Sequence, residues 1–185
     1  MPKLWHDTIK AHRNAVADAI MNRTAALASE EGLHGLTMAR IAQEAGIGRA
    51  TLYKYFNDVD DILTNWHRRQ IAAHLDELEA IRPRYQSPLR ALEAVLLAYA
   101  GHSAHAHSGN LGRLHALPHV DGAHRQLQSF VTDLIGDAIR VGELDATISP
   151  DERARFALAA LQTASPHSRV VLTRRVAMVL KGMGA

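Results

Sequence analysis

Apolar residues recur every three or four positions along almost the whole chain, which is the spacing of amphipathic helices. No segment has the alternating, β-branched pattern that is typical of strands. A long first helix is predicted over residues 7–31, with Ile9, Val16, Ile20 and Leu27 broadly on one side. The pattern as a whole predicts an all-α fold of about nine helices, with ends uncertain by about 2–4 residues.

The predicted helix starts carry capping residues. Thr37 can cap a short second helix that Gly46 closes, and Asp58 can cap a fourth helix that runs to about residue 82. Three later starts place a proline at the first helical position, where its missing N–H costs nothing. They are Ser87-Pro88, Ser149-Pro150 and Ser165-Pro166. A short helix near residues 111–116 and a long one over about residues 122–141 complete the prediction.

The stretch MARIAQEAGIGRATLYKYF, residues 38–56, has the pattern of two short helices joined by a tight turn. In the first of them Ile41 and Ala45 face the core, and small Ala42 lets a crossing helix approach closely. Gly46 can adopt the left-handed conformation that turns the chain sharply. This spacing predicts a helix-turn-helix.

The second helix of this motif has two different faces. Leu52 and Phe56 lie four residues apart and anchor it from beneath, with Ile47 filling the corner. The opposite face presents two cations, an aromatic ring and one small residue: Arg49, Lys54, Tyr53 and Ala50. A helix N-terminus with such a face fits the major groove of DNA.

Charge and composition agree with this interpretation. The formal net charge is +2, and residues 1–56 carry seven Lys and Arg against five acids, so the excess lies in the N-terminal third.

The absence of cysteine excludes disulfides and thiolate metal sites. The longest apolar run, residues 94–100, is too short to span a bilayer, and no signal-peptide pattern is visible. We expect a soluble cytoplasmic protein without a membrane partner.

Residues 30–63, EEGLHGLTMARIAQEAGIGRATLYKYFNDVDDIL, closely resemble the TetR/AcrR family of bacterial transcriptional regulators. The resemblance implies an all-helical fold with a helix-turn-helix DNA-binding domain at residues 1–57. It implies a ligand-binding and dimerisation domain at residues 58–185. Outside the motif the chain matches the family by helix number and length rather than by sequence.

The resemblance also implies roles for single residues. Thr37 and the amides near Gly48 would contact phosphates. Arg49, Ala50, Thr51 and Lys54 would lie at or near base edges, and Tyr53 and Tyr55 on the DNA backbone. The family usually has serine at the position of Gly48, so we expect this helix to lack its side-chain cap. The family often has a lysine at the position of Val59. Because this chain lacks that lysine, the salt dependence of its DNA binding should be lower by about one charge.

The last two predicted helices carry more apolar surface than one small domain can bury against itself, which favours a two-fold, four-helix dimer interface. The predicted interface residues are Phe156, Ala160, Val171, Val176 and Val179. The alternative is that these helices belong to the core of a single subunit.

A small-molecule pocket needs burial for affinity and a few polar groups for orientation. Three predicted helices each present such a set on one face. The residues are Trp66 and Gln70, then Leu96, Tyr99 and His102, then Gln126 and Phe130. The alternative is that Trp66 and Tyr99 are ordinary core residues whose polar atoms find partners nearby.

Six of the twelve histidines fall within the His102–His124 cluster, which raises a metal-sensing alternative. The only acid in that span is Asp121, and the competing interpretation is polar pocket lining with an exposed loop. No nucleophile elbow, phosphate loop or HExxH motif indicates an enzyme, and no cofactor is expected. A helical protein-binding adaptor would leave Arg49 and Lys54 unexplained.

These observations together predict a homodimeric transcriptional regulator, a repressor that a small-molecule effector releases from a palindromic operator in double-stranded DNA. The two recognition helices of such a dimer must lie about 34–36 Å apart to enter successive major grooves. A shift of a few ångströms would therefore release the DNA. The sequence does not identify the effector or the operator.

Overall fold

A computed structural model of the chain describes residues 2–106, 120–162 and 168–185. These residues form helices and no strands, which confirms the all-α prediction. A short 3-10 turn at Arg82–Arg84 precedes the fifth helix. The eight α-helices of the described residues are α1 (Pro2–Glu31), α2 (Met38–Glu44), α3 (Arg49–Leu52), α4 (Val59–Glu79), α5 (Pro88–Ala106), α6 (Val120–Arg140), α7 (Pro150–Leu161) and α8 (Arg169–Gly182).

Four predicted helix starts have the expected capping hydrogen bond. In each, a side-chain oxygen accepts from the backbone N–H three residues later, which satisfies one of the free donors of the first turn. The caps are Thr37 for α2 at 3.2 Å, Asp58 for α4 at 2.7 Å, Ser87 for α5 at 3.1 Å and Ser149 for α7 at 3.3 Å. These polar residues therefore fix where the chain enters each helix.

Several predicted boundaries differ from the structure. Helix α1 begins at Pro2, before the predicted start, and its Ile9 is 60% exposed rather than buried. Helix α4 ends at Glu79, where the chain tightens into the 3-10 turn that contains Pro83. The last helix begins at Arg169. The predicted start at Ser165-Pro166 and the predicted short helix at 111–116 lie outside the described residues.

The chain forms two compact units, Met1–Gln70 and Ile71–Ala185. They divide within α4 because its first half packs on one core and its second half on another. Ile62 belongs to the N-terminal core, whereas Leu75 and Leu78 belong to the C-terminal core. The predicted division of function between residues 57 and 58 stays a prediction.

The N-terminal core joins α1, α2, α3 and the first half of α4. Its buried side chains are apolar: Ile20, Met21, Met38, Ile41, Ala42, Leu52, Phe56 and Ile62. Ile41, Leu52 and Ile62 are fully buried, so α2, α3 and the first half of α4 each contribute one side chain to the centre of this core. This packing holds the helix-turn-helix as a rigid body.

In the C-terminal unit α5 lies at the centre and packs against α6, α7 and α8. Its buried residues Leu92, Val95 and Leu96 meet Val131 and Ile135 of α6 in a single apolar core. No helix in the described stretches is long and apolar enough to cross a membrane.

Candidate nucleic-acid interface

The turn between α2 and α3 is built by backbone hydrogen bonds around one glycine. Gly46 has a φ of +67°, a conformation that residues with a Cβ rarely adopt. The N–H of Ile47 donates to Ala42 O at 3.0 Å and the N–H of Gly46 donates to Gln43 O at 3.1 Å. This pair of bonds is the Schellman motif, which satisfies the last carbonyls of α2 and reverses the chain. The predicted turn is confirmed.

Helix α3 is held from beneath and open above. Leu52 is fully buried and Phe56 is 6% exposed, as their four-residue spacing predicts. The four predicted outward residues are all exposed: Arg49, Ala50, Tyr53 and Lys54. The rigid core therefore presents two cations and an aromatic ring on one short convex surface.

The regular part of α3 is shorter than predicted, because it ends at Leu52 rather than at Phe56. Beyond it the N–H of Lys54 donates to Thr51 O and the N–H of Tyr55 donates to Leu52 O, which are the tighter i to i+3 bonds of a 3-10 turn. The tightening ends the helix while Tyr53 and Lys54 stay on its exposed side.

The remaining predicted contact residues have different environments. The Thr37 hydroxyl already caps α2, so any phosphate contact would share that oxygen. Gly48 stands before α3 without a side-chain cap, as the departure from the family pattern predicts. Thr51 is half-buried. Tyr55 is also half-buried, and the Arg13 guanidinium lies 5.8 Å from its ring centroid. Sequence reasoning did not include Arg13, because α1 is distant from α3 along the chain.

Ion pairs neutralise the cations around the motif but not those on its exposed face. Arg23 bonds Glu44 at 2.5 Å, and this hydrogen bond, with the charge of Arg23, lowers the pKa of the Glu44 carboxyl. Arg40 bonds Glu31 at 2.6 Å. In the described residues no acid pairs with Arg49 or Lys54. The positive charge of the motif that no described acid neutralises is therefore at Arg49 on α3 and at Lys54 in the turn that follows it.

The predicted effector-pocket residues fall in both units. Trp66 packs against the N-terminal core. Leu96 is fully buried in the C-terminal core and Tyr99 is 8% exposed there, with Phe130 packed alongside. These placements support the alternative that Trp66 and Tyr99 are core residues. The pocket as a whole stays a prediction.

His102 and Gln126 also belong to the C-terminal unit. The His102 ring stacks on His74 at a centroid distance of 4.3 Å, and its Nε2 lies 3.5 Å from the Glu77 carboxylate. Gln126 donates to the Glu79 carboxylate at 3.1 Å. Both predicted pocket side chains therefore contact the second half of α4.

The C-terminal unit contains a cavity of about 210 Å³ between α5, α6 and α7. It is lined by apolar and aromatic side chains and by polar or charged ones: Tyr99, Leu127, Leu158 and Ala159, with His124, Gln128, Arg155 and Gln162. The Gln128 side chain donates to Asp151 at 2.7 Å, and Arg155 also bonds that carboxylate. Of these eight residues the sequence analysis named only Tyr99 as a pocket residue, because cavities depend on how helices pack.

Two of the predicted dimer residues are buried within a single subunit. Val176 is 2% exposed and Val179 is 4% exposed within a single chain, because both pack into the C-terminal core. Phe156 and Val171 are 50% and 39% exposed, and Ala160 is partly buried. Val170 and Met178, which were not predicted, are the most exposed apolar residues of α8.

The metal-sensing alternative rests largely on residues outside the described ones. Of the predicted histidine cluster, only His102 and His124 have described side chains. No group of three histidines or acids suited to a metal ion occurs among the residues the structure covers.

The comparisons with known proteins agree with this geometry. The family described as "Bacterial regulatory proteins, tetR family" matches residues 20–64. An HTH-type transcriptional regulator of Staphylococcus aureus is 33% identical over 85 residues, which are 43% of this chain and 46% of that protein. The chain thus spans less than half of the length of that curated relative.

Two solved structures share the fold over nearly the whole chain. A TetR/AcrR-family regulator from Thermobifida fusca has a TM-score of 0.78 at 18% identity, covering 93% of this chain and 98% of that one. FadR from Bacillus subtilis, solved in complex with stearoyl-CoA, has a TM-score of 0.67 at 16% identity, covering 90% and 97%. Residues 20–64 thus match the tetR family of bacterial regulatory proteins, and the fold of the described residues is similar to that of a solved TetR/AcrR-family regulator.

Proposed function

We propose that the chain is a homodimeric repressor that binds a palindromic operator and is released by a small-molecule effector. The observation that carries the proposal is the exposed face of α3, where Arg49, Tyr53 and Lys54 have no acid partner in the described residues. Unpaired cations on a rigid convex element suit the edge of the major groove. Such a repressor acts on the chromosome in the bacterial cytoplasm, and its family is one of regulators rather than enzymes.

On the operator, the first turn of α3 enters the major groove. Arg49 donates to a guanine edge, and exposed Ala50 permits close approach of the helix to the bases. Lys54 lies near the base edges, and the hydroxyls of Tyr53 and Tyr55 bind phosphates and fix the orientation of the helix. The division between base and backbone contacts predicts which substitutions change specificity and which change only affinity.

Two-fold symmetry of the operator requires two copies of the motif. We place the dimer interface on the exposed apolar side chains of α7 and α8, namely Phe156, Val170, Val171 and Met178. An isologous contact through these residues removes their apolar surface from water in both subunits at once.

The effector site is proposed in the C-terminal unit. The cavity between α5, α6 and α7 is lined by apolar side chains together with amide, imidazole and guanidinium groups. Filling it changes the packing of α7, which carries Phe156 of the proposed interface. The neighbour FadR was solved with stearoyl-CoA, so effector binding has a precedent in this fold.

The proposal is tested with operator DNA selected from a random duplex pool by the purified protein. Arg49→Ala should cost about 1–3 kcal/mol on the selected operator and relax preference at one base of each half-site. Arg125→Ala, which removes an exposed arginine of α6 instead, is the matched control and should leave binding unchanged. Unchanged operator affinity of the Arg49 variant at moderate salt would overturn the proposed docking.

A further inference from the structure

The first half of α1 is a helix whose described side chains remain in water. Residues 8–15 are all exposed, and the first half-buried positions are residues 16–18. Residues 8–17, TIKAHRNAVA, contain Lys10, His12 and Arg13 but no acid. Residues 8–15 therefore add positive charge but no buried side chain, and α1 first packs against the N-terminal core at Val16 and Ala17.

The cations of the N-terminal unit are paired selectively. Three arginines are neutralised by acids: Arg23 by Glu44, Arg40 by Glu31, and Arg69 by Asp18. Lys10, Arg13, Arg49, Lys54 and Arg68 have no acid partner among the described side chains of this unit. Four of these five lie on α1 or on α3 and the turn that follows it.

One contact joins the α1 cations to the α3 surface. The Arg13 guanidinium lies over the ring of Tyr55 at 5.8 Å, within the range of a cation–π contact. Lys10 precedes Arg13 by three residues, so it lies on the same side of α1, about 4.5 Å further along the axis. Lys10 and Arg13 thus continue the positive surface of α3 beyond Tyr55. We call this pair the α1 patch.

We propose that the α1 patch is a second phosphate-binding surface, which contacts the DNA backbone flanking each operator half-site. The inference rests on the proposed DNA-binding function. Both side chains are cations on an exposed stretch of α1, neither has an acid partner among the described side chains, and Arg13 joins the pair to the recognition surface through Tyr55. Phosphate contacts depend on the charge of the DNA backbone and not on its base sequence. They therefore lengthen the stretch of DNA that the protein covers without changing the preferred operator.

The test is the salt dependence of binding to a long operator duplex and to a scrambled duplex of the same length. Each phosphate contact that a variant lacks should make the negative slope of log K against log salt shallower by about 0.9. The double variant Lys10→Gln with Arg13→Gln should therefore lose about two contacts in each subunit, or about four in the dimer. Between 50 and 200 mM salt its affinity should fall about a hundred-fold less than that of the wild type. The affinity lost at low salt should be equal for both duplexes.

The matched control is Arg68→Gln, which removes an exposed unpaired cation of the same unit from α4. Glutamine has a helix propensity close to those of lysine and arginine, so each variant keeps α1 or α4 helical, and circular dichroism verifies this. The proposal expects the wild-type slope from the control. An equal loss in the control would assign the effect to overall charge and overturn the inference.

The inference and the proposed function fail in different ways. If the double variant keeps the wild-type slope while Arg49→Ala loses operator preference, the α1 patch is excluded and the repressor function stands. If the wild-type protein binds neither duplex, both are overturned. A second readout is the footprint, because the double variant should lose protection at the outer edge of each half-site and keep it at the centre.

Discussion

At the scale of single residues, Gly48 is a position where a small change should improve the protein. Its φ of −69° is ordinary for any residue, and an added Cβ would meet only Thr51 Oγ1 at 3.9 Å. Gly48→Ser should supply the missing cap of α3, raise stability by a few tenths of a kcal/mol and strengthen DNA binding for all sequences alike. Thermal unfolding and titration of two unrelated duplexes measure both effects. Weaker DNA binding would show that the first-turn N–H groups of α3 must stay free of a side-chain cap.

Asp145 gives a prediction about acid stability. Its carboxylate accepts from the side chain and backbone N–H of Thr147 and from the Arg153 guanidinium, and these bonds lower its pKa to about 2. The Arg153 side chain is 1% exposed, so the pair joins the α6–α7 loop to the core. The folded pKa lies below the ordinary value of about 3.9. The ionised Asp145 carboxylate therefore stabilises the folded state above that value, and this stabilisation is lost as the pH falls towards 2.

Asp145→Asn should therefore be less stable than the wild type at pH 7, and the difference should shrink between pH 4 and pH 2. Urea unfolding across this range measures it. Asp133→Asn, at an exposed carboxylate of α6 with no ion pair in the described residues, is the control and should follow the wild-type curve. A constant difference between the Asp145 variant and wild type at every pH would contradict the assignment.

At the scale of elements, local chemistry explains why the helix-turn-helix was predictable. A cap at Thr37, a left-handed turn at Gly46 and buried anchors at Leu52 and Phe56 act within a few residues of one another. Such interactions are visible in sequence spacing alone. The end of α3 was less predictable, because no glycine or proline follows Leu52 closely to mark it.

Helix α8 shows the limit of the same reasoning. It is apolar on more than one side, and sequence periodicity cannot decide which side meets its own core and which meets another subunit. Val176 and Val179 face the core, whereas Val171 and Met178 face outward. Tertiary packing makes that choice through α5, which lies against α8 and far from it along the chain.

The dimer prediction follows from this division of α8. Met178 is 74% exposed, so Met178→Asp should keep the fold and yield a monomer in sedimentation equilibrium. Val176→Asp buries an unpaired charge instead and should cost several kcal/mol of folding stability. A folded Met178→Asp dimer with wild-type affinity would place the interface on another surface.

At the scale of the whole molecule, each unit has its own core, and α4 contributes to both. The sequence does not show that α4 contributes to two cores, because its pattern is that of one continuous amphipathic helix. The predicted domain boundary was therefore placed at the start of α4. The predicted effector pocket likewise combined residues of the first half of α4, in the N-terminal unit, with residues of α5 and α6. The cavity in the C-terminal unit arises instead from α5, α6 and α7, whose proximity no sequence spacing encodes.

The cavity leads to a prediction about regulation. Ala159 lines it and is exposed, so Ala159→Trp should fill the space without displacing a buried side chain. Ser129→Trp places the same ring at an exposed site on α6 outside the cavity and serves as the control. A compound that binds the folded wild-type protein raises its melting temperature in a thermal-shift screen, since binding to the native state stabilises it.

If the cavity is the effector site, Ala159→Trp should lose the thermal shift and the release of DNA by that compound, and should keep wild-type operator affinity in its absence. Ser129→Trp should keep all three properties. The reason is steric, because an indole ring occupies much of a cavity of about 210 Å³. Release of the Ala159 variant by the same compound at the same concentration would locate the effector elsewhere in the C-terminal unit. Loss of DNA binding without any compound would instead show that α7 cannot change at this position without disturbing the proposed dimer.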